Sequence, residues 1–340
     1  MMSDINLRIQ GKAGRITLQR PEALNAMTYE MCLAIEKALI DWKYDPKVEL
    51  IIIDAQGERA FCSGGDISDL YEEGNKKNYN YGKKFWDDEY RLNALIAKYP
   101  KPYIAFMQGF TMGGGVGISC HGSHRIVCET SKIAMPECSI GLIPDVGGSL
   151  LLSRAPNNLG YFLGLTGTQM NAADAIYTGF ADSYIPKSEW PEVIKKLEQS
   201  GNNSILREHS QNSGKSQLAE NREFFEAIFT SKDLPKIVEF LSKSEDQRAL
   251  EALNKITKNC PIAMTYTIEM LSRLTPKSKI EDALDLEYRF TSRAQEHGSF
   301  QEGIRAAIID KDRKPKWRFE IDEVPKEIIN DFFKPVYDFN

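Results

Sequence analysis

The stretch that most limits the possible folds is Pro102–Gly148, PYIAFMQGFTMGGGVGISCHGSHRIVCETSKIAMPECSIGLIPDVGG. Two short apolar runs in it, Tyr103–Met107 and Arg125–Cys128, are rich in β-formers and bounded by glycine or polar residues, the pattern of strands buried in a sheet. Between them, Gly113-Gly114-Gly115-Val116-Gly117 leads into small and apolar residues able to start a tightly packed helix. A triple glycine leaving a strand lets backbone approach a ligand closely, because no Cβ intervenes. Where such a turn opens a helix, its first N–H groups lack an intrahelical acceptor and face an anion. Further on, two acids stand in apolar surroundings, Glu137 after Pro136 and Asp145 after Pro144. An N–H-rich turn beside paired carboxylates is suited to a reacting carbonyl.

The remainder of the chain narrows the setting. Its 340 residues are enough for one large domain or two smaller ones. The formal net charge of −5, without long basic runs, argues against nucleic-acid or membrane-surface binding. Six cysteines (32, 62, 120, 128, 138, 260) form no CxxC pair, and several lie in apolar segments, as reduced buried thiols do. The four histidines fit no metal-ligand spacing, so no metal is expected. The N-terminus is acidic within five residues and lacks an apolar signal core, and no run is long enough to span a bilayer.

In order, Ile5–Ile9 and Arg15–Leu18 alternate across a Gly11–Gly14 turn and predict a β-hairpin. Thr28 is a good N-cap for a helix Tyr29–Trp42, and Glu49–Asp54 has the continuous apolar pattern of a strand buried on both faces. Ser63-Gly64-Gly65-Asp66 then predicts a turn in which Asp66 caps the next helix. Lys76–Asn80 is polar and expected to be mobile; Phe85–Lys98 follows as an amphipathic helix in which Glu89 has the default reading of a solvated face or an ion pair. Short helices are expected over Ser149–Ser153, Gly160–Thr166 and Ala172–Thr178. Ser200–Ser216 is rich in Ser, Asn and Gly and reads as a linker or surface excursion, after which the chain is mostly helical, including Ile280–His297. The expected division is a core over 1–205 and a helical region over 206–340.

Arg20–Met27 (RPEALNAM), Pro102–Gly117, MPECSIGLIPDVGG, Leu165-Thr166-Gly167 and the C-terminal FQEGIRAAIIDKD…PKW together resemble the crotonase (enoyl-CoA hydratase/isomerase) superfamily over essentially the whole chain. The resemblance implies an α/β fold, a crotonase-like spiral of ββα units with a helical C-terminal region. It also implies an acyl-CoA substrate, with coenzyme A as part of that substrate and no separate cofactor. By position, the amides of Gly65 and Gly114 would form the oxyanion site for a thioester oxygen. Glu137 would be the catalytic carboxylate, Asp145 would orient water or a substrate hydroxyl, and Glu89 would lie near the substrate. Substrate contacts are thus expected from Glu89, Gly114, Glu137 and Asp145. The RPEALNAM loop would border the CoA pocket, and a homo-oligomer is compatible with the family.

One departure selects among reactions. Hydratases of the superfamily carry two glutamates, because adding water across C=C needs a base for the water and an acid for the α-carbon. The first lies three residues after the central glycine of the triplet, where this chain has Gly117; the second corresponds to Glu137. The pattern matches the thioester-hydrolysing branch, and the expected reaction is hydrolysis of a short β-hydroxyacyl-CoA, 3-hydroxyisobutyryl-CoA in valine breakdown. That reaction would place the chain in the cytoplasm, or in the mitochondrial matrix of a eukaryote, although no transit peptide is seen. An enoyl-CoA hydratase or isomerase on the same scaffold and a non-catalytic acyl-CoA binder are the alternatives. No GxSxG elbow is present, and Cys120 beside His121 is poorly placed for a Cys–His pair, since sequence neighbours seldom face each other.

Overall fold

The computed structural model describes residues 4–336; Met1–Ser3 and Tyr337–Asn340, the outer ends of the two expected regions, lie outside them. Two compact units share the chain. The first comprises Met1–Asp66, Arg91–Ala134 and Gln169–Glu220, and the second Ile67–Tyr90, Met135–Thr168 and Asn221–Asn340. The two Glu/Asp segments after Pro136 and Pro144 therefore belong to the same unit as the helices beyond Asn221.

In the first unit the chain makes a repeated ββα excursion between two sheets. Strands β1 (Ile5–Gln10) and β2 (Ala13–Leu18) form the antiparallel hairpin, with Gly11 at φ 57° in its turn. β2 then pairs in parallel with β3 (Leu50–Ala55), β3 with β5 (Tyr103–Met107), β5 with β7 (His124–Val127), and β7 with β9 (Ser183–Tyr184). After β3, β5 and β7 the chain crosses to a three-stranded parallel sheet made of β4 (Ala60–Cys62), β6 (Phe110–Met112) and β8 (Lys132–Ala134). Leu50, Ile51, Ile52 and Ile53 are fully buried, as a parallel strand covered on both faces requires. One face packs Ile52, Ile104, Phe106 and Ile126 against Trp190, Val193 and Leu197 of the helix Trp190–Ser200. Phe106 and Trp190 meet edge to face at 5.1 Å, and each such residue contributes roughly 1.5–3 kcal/mol by burial.

The second unit is helical. Helices Leu159–Thr166, Pro261–Arg273 and Ile280–His297 carry most of its core, with Tyr266 4.9 Å from Phe290 and Phe290 stacked on Phe332 at 4.5 Å. Pro261 and not an interior residue opens its helix, at the position where a missing N–H costs nothing.

Several local expectations are corrected. Asp66 does not cap the helix Ser68–Asn75, which starts without a side-chain cap; its backbone is held by Met27, and its carboxylate accepts from Arg20 Nη2 at 3.1 Å. The helix expected from Phe85 begins at Tyr79, so only Lys76–Asn78 remain as a turn, with Lys77 at φ 59°. Ser200–Ser216 is more ordered than its composition suggests. It contains the helix Ile205–His209, and Ile205 and Leu206 enter the first unit's core.

Candidate active site

The two glycine turns leave neighbouring strands of one sheet. β4 and β6 are parallel, with Cys62 opposite Thr111, so the turns Ser63–Gly65 and Gly113–Gly115 exit at the same end. Parallel strands lie about 4.8 Å apart, which sets the turns side by side. Their glycines are required by geometry. Gly64 has φ 118°, and a Cβ on Gly115 would sit 2.4 Å from the Cys62 carbonyl oxygen. The first turn is tied down by Met27, whose N–H donates to Gly64 O (2.9 Å) and whose carbonyl accepts from Asp66 N (2.8 Å). That bridge uses the groups flanking Gly65 and leaves the Gly65 N–H itself outside it. Gly114 is the first residue of the four-residue helix Gly114–Gly117, where an amide has no intrahelical partner. Among the described residues neither amide has an acceptor within the fold.

The carboxylates gather in the second unit. Glu89, Glu137, Asp145 and Glu287 are 3, 5, 4 and 0 % exposed. The solvated-face reading of Glu89 is therefore corrected: it lies on the buried side of the helix Tyr79–Ala97. Glu137 opens a single 3₁₀ turn, Glu137–Ile140, closed by left-handed Gly141. Its Oε2 is buried and has no hydrogen-bond partner among the described residues. Burial, and then Asp145, Glu287 and Glu89, hold its carboxyl well above the usual range, against the pull of its own backbone amide. Burial likewise raises Glu89, reinforced by Asp145 and Glu287.

Asp145 sits before two left-handed residues, Val146 (φ 53°) and Gly147 (φ 75°). A β-branched residue there is strained, and Glu287 holds the turn in place. Its Oε2 accepts from Gly147 N at 2.7 Å, and its Oε1 accepts from Ser149 N at 3.1 Å and from the Ser149 hydroxyl. Asp145 itself receives Tyr90 Oη on Oδ2 at 2.8 Å, and Thr291 Oγ1 stands 3.2 Å from the same phenol oxygen. Burial pushes Asp145 up to about 7 although Tyr90 stabilises its anion, and burial with Asp145 nearby pushes Glu287 up to about 8. Burial and mutual repulsion raise all four carboxyls above the usual carboxylate range, the direction that suits groups doing acid–base chemistry.

Tyr90 and Glu287 were not among the residues expected from the sequence. The signal for Glu287 was present: it occupies the stripe Ala283, Glu287, Phe290, where a lone acid on an apolar face needs a buried partner. Cys120 is buried with its thiol raised to about 11 by burial, which leaves no reactive thiolate. No group of three or more His, Cys, Asp or Glu among the described residues is arranged to hold a metal ion, and no described helix is long and apolar enough to cross a membrane.

Residues 13–333 match the family model described as Enoyl-CoA hydratase/isomerase. The chain belongs to that family. The 3-hydroxyisobutyryl-CoA hydrolase, mitochondrial, of Gallus gallus is 35% identical over 346 residues, covering 98% of this chain and 89% of its own. A solved structure titled as an enoyl-CoA hydratase from Rhodobacter sphaeroides 2.4.1 superposes with a TM-score of 0.94 at 47% identity and 98% coverage of both chains. A carnitinyl-CoA dehydratase from Mycobacterium thermoresistibile gives 0.94 at 38% identity, covering 99% of this chain and 98% of its own. The chain has the crotonase fold, and enzymes of the enoyl-CoA hydratase/isomerase family act on acyl-CoA thioesters.

Proposed function

We propose that the protein hydrolyses a short β-hydroxyacyl-CoA thioester, 3-hydroxyisobutyryl-CoA to 3-hydroxyisobutyrate and CoA, as a step in valine breakdown. The observation that carries this reading is the buried, unpartnered Oε2 of Glu137, combined with Gly117 at the place of a hydratase's first glutamate. The Gallus gallus hydrolase supports the choice of substrate.

In the proposed mechanism the amides of Gly65 and Gly114 receive the thioester oxygen as it becomes an oxyanion; one such donor is worth about 10²–10³ in rate. Glu137 acts on the carbonyl carbon, either by direct attack to give a mixed anhydride or by taking a proton from an attacking water. Collapse of the tetrahedral species breaks the C–S bond and expels the CoA thiolate, which takes up a proton; on the direct-attack route a water then cleaves the mixed anhydride, releasing the hydroxy acid and restoring the Glu137 carboxylate. Asp145, with Tyr90 on its Oδ2, orients water or the 3-hydroxyl, and Glu89 contacts the substrate. Thioester hydrolysis needs no second acid at the α-carbon, so Gly117 costs it nothing. Hydration needs one, and general acid–base assistance is worth about 10²–10⁴ per group.

A thiol-reagent assay on 3-hydroxyisobutyryl-CoA, run beside loss of enoyl absorbance on crotonyl-CoA, tests the reading. Thiol release is expected to be faster by at least two orders of magnitude. Glu137→Gln, with nearly the same shape, is expected to abolish release while retaining ester binding. Rapid crotonyl-CoA hydration without thiol release would favour the activity in the Rhodobacter sphaeroides structure's title and overturn the hydrolase. Near-normal turnover by Glu137→Gln would make that residue structural.

A further inference from the structure

The helix Tyr79–Ala97 carries Glu89 and Tyr90, and one turn further on it carries Asn93. Asn93 is fully buried, and neither its Nδ2 nor its Oδ1 has a hydrogen-bond partner among the described residues. A primary amide has two donors and an acceptor, and burying them unmatched costs free energy that an apolar side chain would not. The four other buried amide side chains among the described residues all donate to backbone carbonyls. Asn25 reaches Gln56 O and Ala60 O, Gln108 reaches Ala55 O and Gly57 O, Asn259 reaches Leu165 O, and Gln295 reaches Leu70 O. Only Asn93 leaves both ends of its amide unused.

Local chemistry gives no reason for it. Asparagine is a mediocre helix former, and inside a helix its amide ordinarily points to water or bonds nearby backbone. Asn93 does neither. Phe85, Trp86, Leu92 and Ile96 of the same helix are buried and apolar, so a leucine at 93 would suit both the helix and its packing. Residues three and four apart on a helix have Cβ atoms about 5–6 Å apart, which sets Asn93 beside Tyr90 and Glu89 along one continuous element. The Tyr90 hydroxyl is engaged with Asp145 and Thr291. The Asn93 amide is therefore held one turn from the Glu89 carboxyl with donors and acceptor that no described residue meets.

We propose that Asn93 is a substrate-specificity residue whose amide, with the Glu89 carboxyl, binds the 3-hydroxyl of the acyl group. A hydroxyl both accepts and donates, so it can accept from Asn93 Nδ2 while donating to Glu89. A thioester oxygen only accepts, and the Gly65 and Gly114 amides already provide for it. An ester without the hydroxyl leaves the amide buried and unmatched, which is how a site built for a hydroxyl rejects the analogue that lacks one. The inference rests on the hydrolase reading for the identity of that hydroxyl, and it leaves Asp145 and Tyr90 to the attacking water.

The test is isothermal titration of the Glu137→Gln chain, which is expected to hold the ester without cleaving it. The two ligands are 3-hydroxyisobutyryl-CoA and isobutyryl-CoA, which lacks the hydroxyl. The hydroxy ester is expected to bind at least about tenfold more tightly, and adding Asn93→Leu, nearly the same shape without polar atoms, is expected to abolish most of that preference. Without ligand the leucine variant is expected to melt no lower than its parent, because an unmatched buried amide has gone. Asn93→Ala, scored by the same ratio, replaces it if leucine prevents folding. No preference in the parent, or a preference that survives the substitution, overturns the proposal. An equal loss of affinity for both esters does so too, since it would place the contact on the CoA portion. A lowered melting temperature with the preference intact shows an amide satisfied by a buried water, and overturns it as well. A wild-type chain that releases no thiol from either ester would overturn the hydrolase, while an affinity ratio that still depends on Asn93 would sustain the hydroxyl contact.

Discussion

Replacing Asp145 by asparagine is expected to remove activity and raise stability, by an amount that grows with pH. The carboxyl goes from 3.8 in the unfolded chain to about 7 when buried. Because the folded state holds this proton more tightly, stability falls as pH rises between those two values and stays low above the upper one. The full penalty is about 4 kcal/mol above pH 7, and about 3 kcal/mol of it develops between about pH 5 and pH 8. The substituted asparagine has no charge to bury, and its amide oxygen can still accept from Tyr90 Oη. The variant's melting temperature should therefore exceed that of wild type by about 4 °C more at about pH 8 than at about pH 5, from the unfolding entropy of a chain this long. Differential scanning calorimetry at the two pH values, with thiol release assayed in parallel, measures both sides of the trade between stability and function. A stability difference that is the same at both pH values would refute the reasoning, because the carboxyl would then carry no raised pKa.

Tyr90→Phe removes the donor that stabilises the Asp145 anion, so the acidic limb of the kcat/KM–pH profile should move upward from about 7; an unmoved limb would separate that limb from Asp145. Gly115→Ala places a methyl 2.4 Å from a backbone oxygen that has little room to yield, so a loss of roughly 1–3 kcal/mol or more is expected by chemical denaturation. An alanine variant of unchanged midpoint would show that the two turns are not packed as described.

Much of this arrangement was legible in the residues themselves. The hairpin, the buried strands β3 and β5, and the helices Tyr29–Trp42 and Ile280–His297 follow from periodicity of two or 3.6 and from local caps, because each is decided by neighbours in sequence. Thr28 caps its helix as anticipated, accepting from Met31 N at 3.2 Å. Asp66 misled because an N-cap and an ion-pair partner look alike in one dimension. Arg20, well upstream in the chain, decided the outcome. Glu89 misled for a similar reason: an acid among other acids (FWDDEY) looks solvated until the fold buries that side of the helix. Ile205 and Leu206 were hidden in a polar segment that composition alone would leave outside the core. Tyr90 and Glu287 became visible only once tertiary contacts brought them to Asp145 and Gly147, distances no local pattern encodes.

The bond from Glu287 to Gly147 spans 140 residues of sequence. A ribosome making this chain exposes Pro144-Asp145-Val146-Gly147 long before the helix Ile280–His297 exists. Until then Glu287 is not there to hold the turn at the left-handed Val146, and the Gly147 and Ser149 amides hydrogen-bond to water. Closing so long a loop is slow and comes late. The turn that carries Asp145 thus sets only after nearly all of the polypeptide has been made, and a chain stopped short of Glu287 lacks the group that holds it.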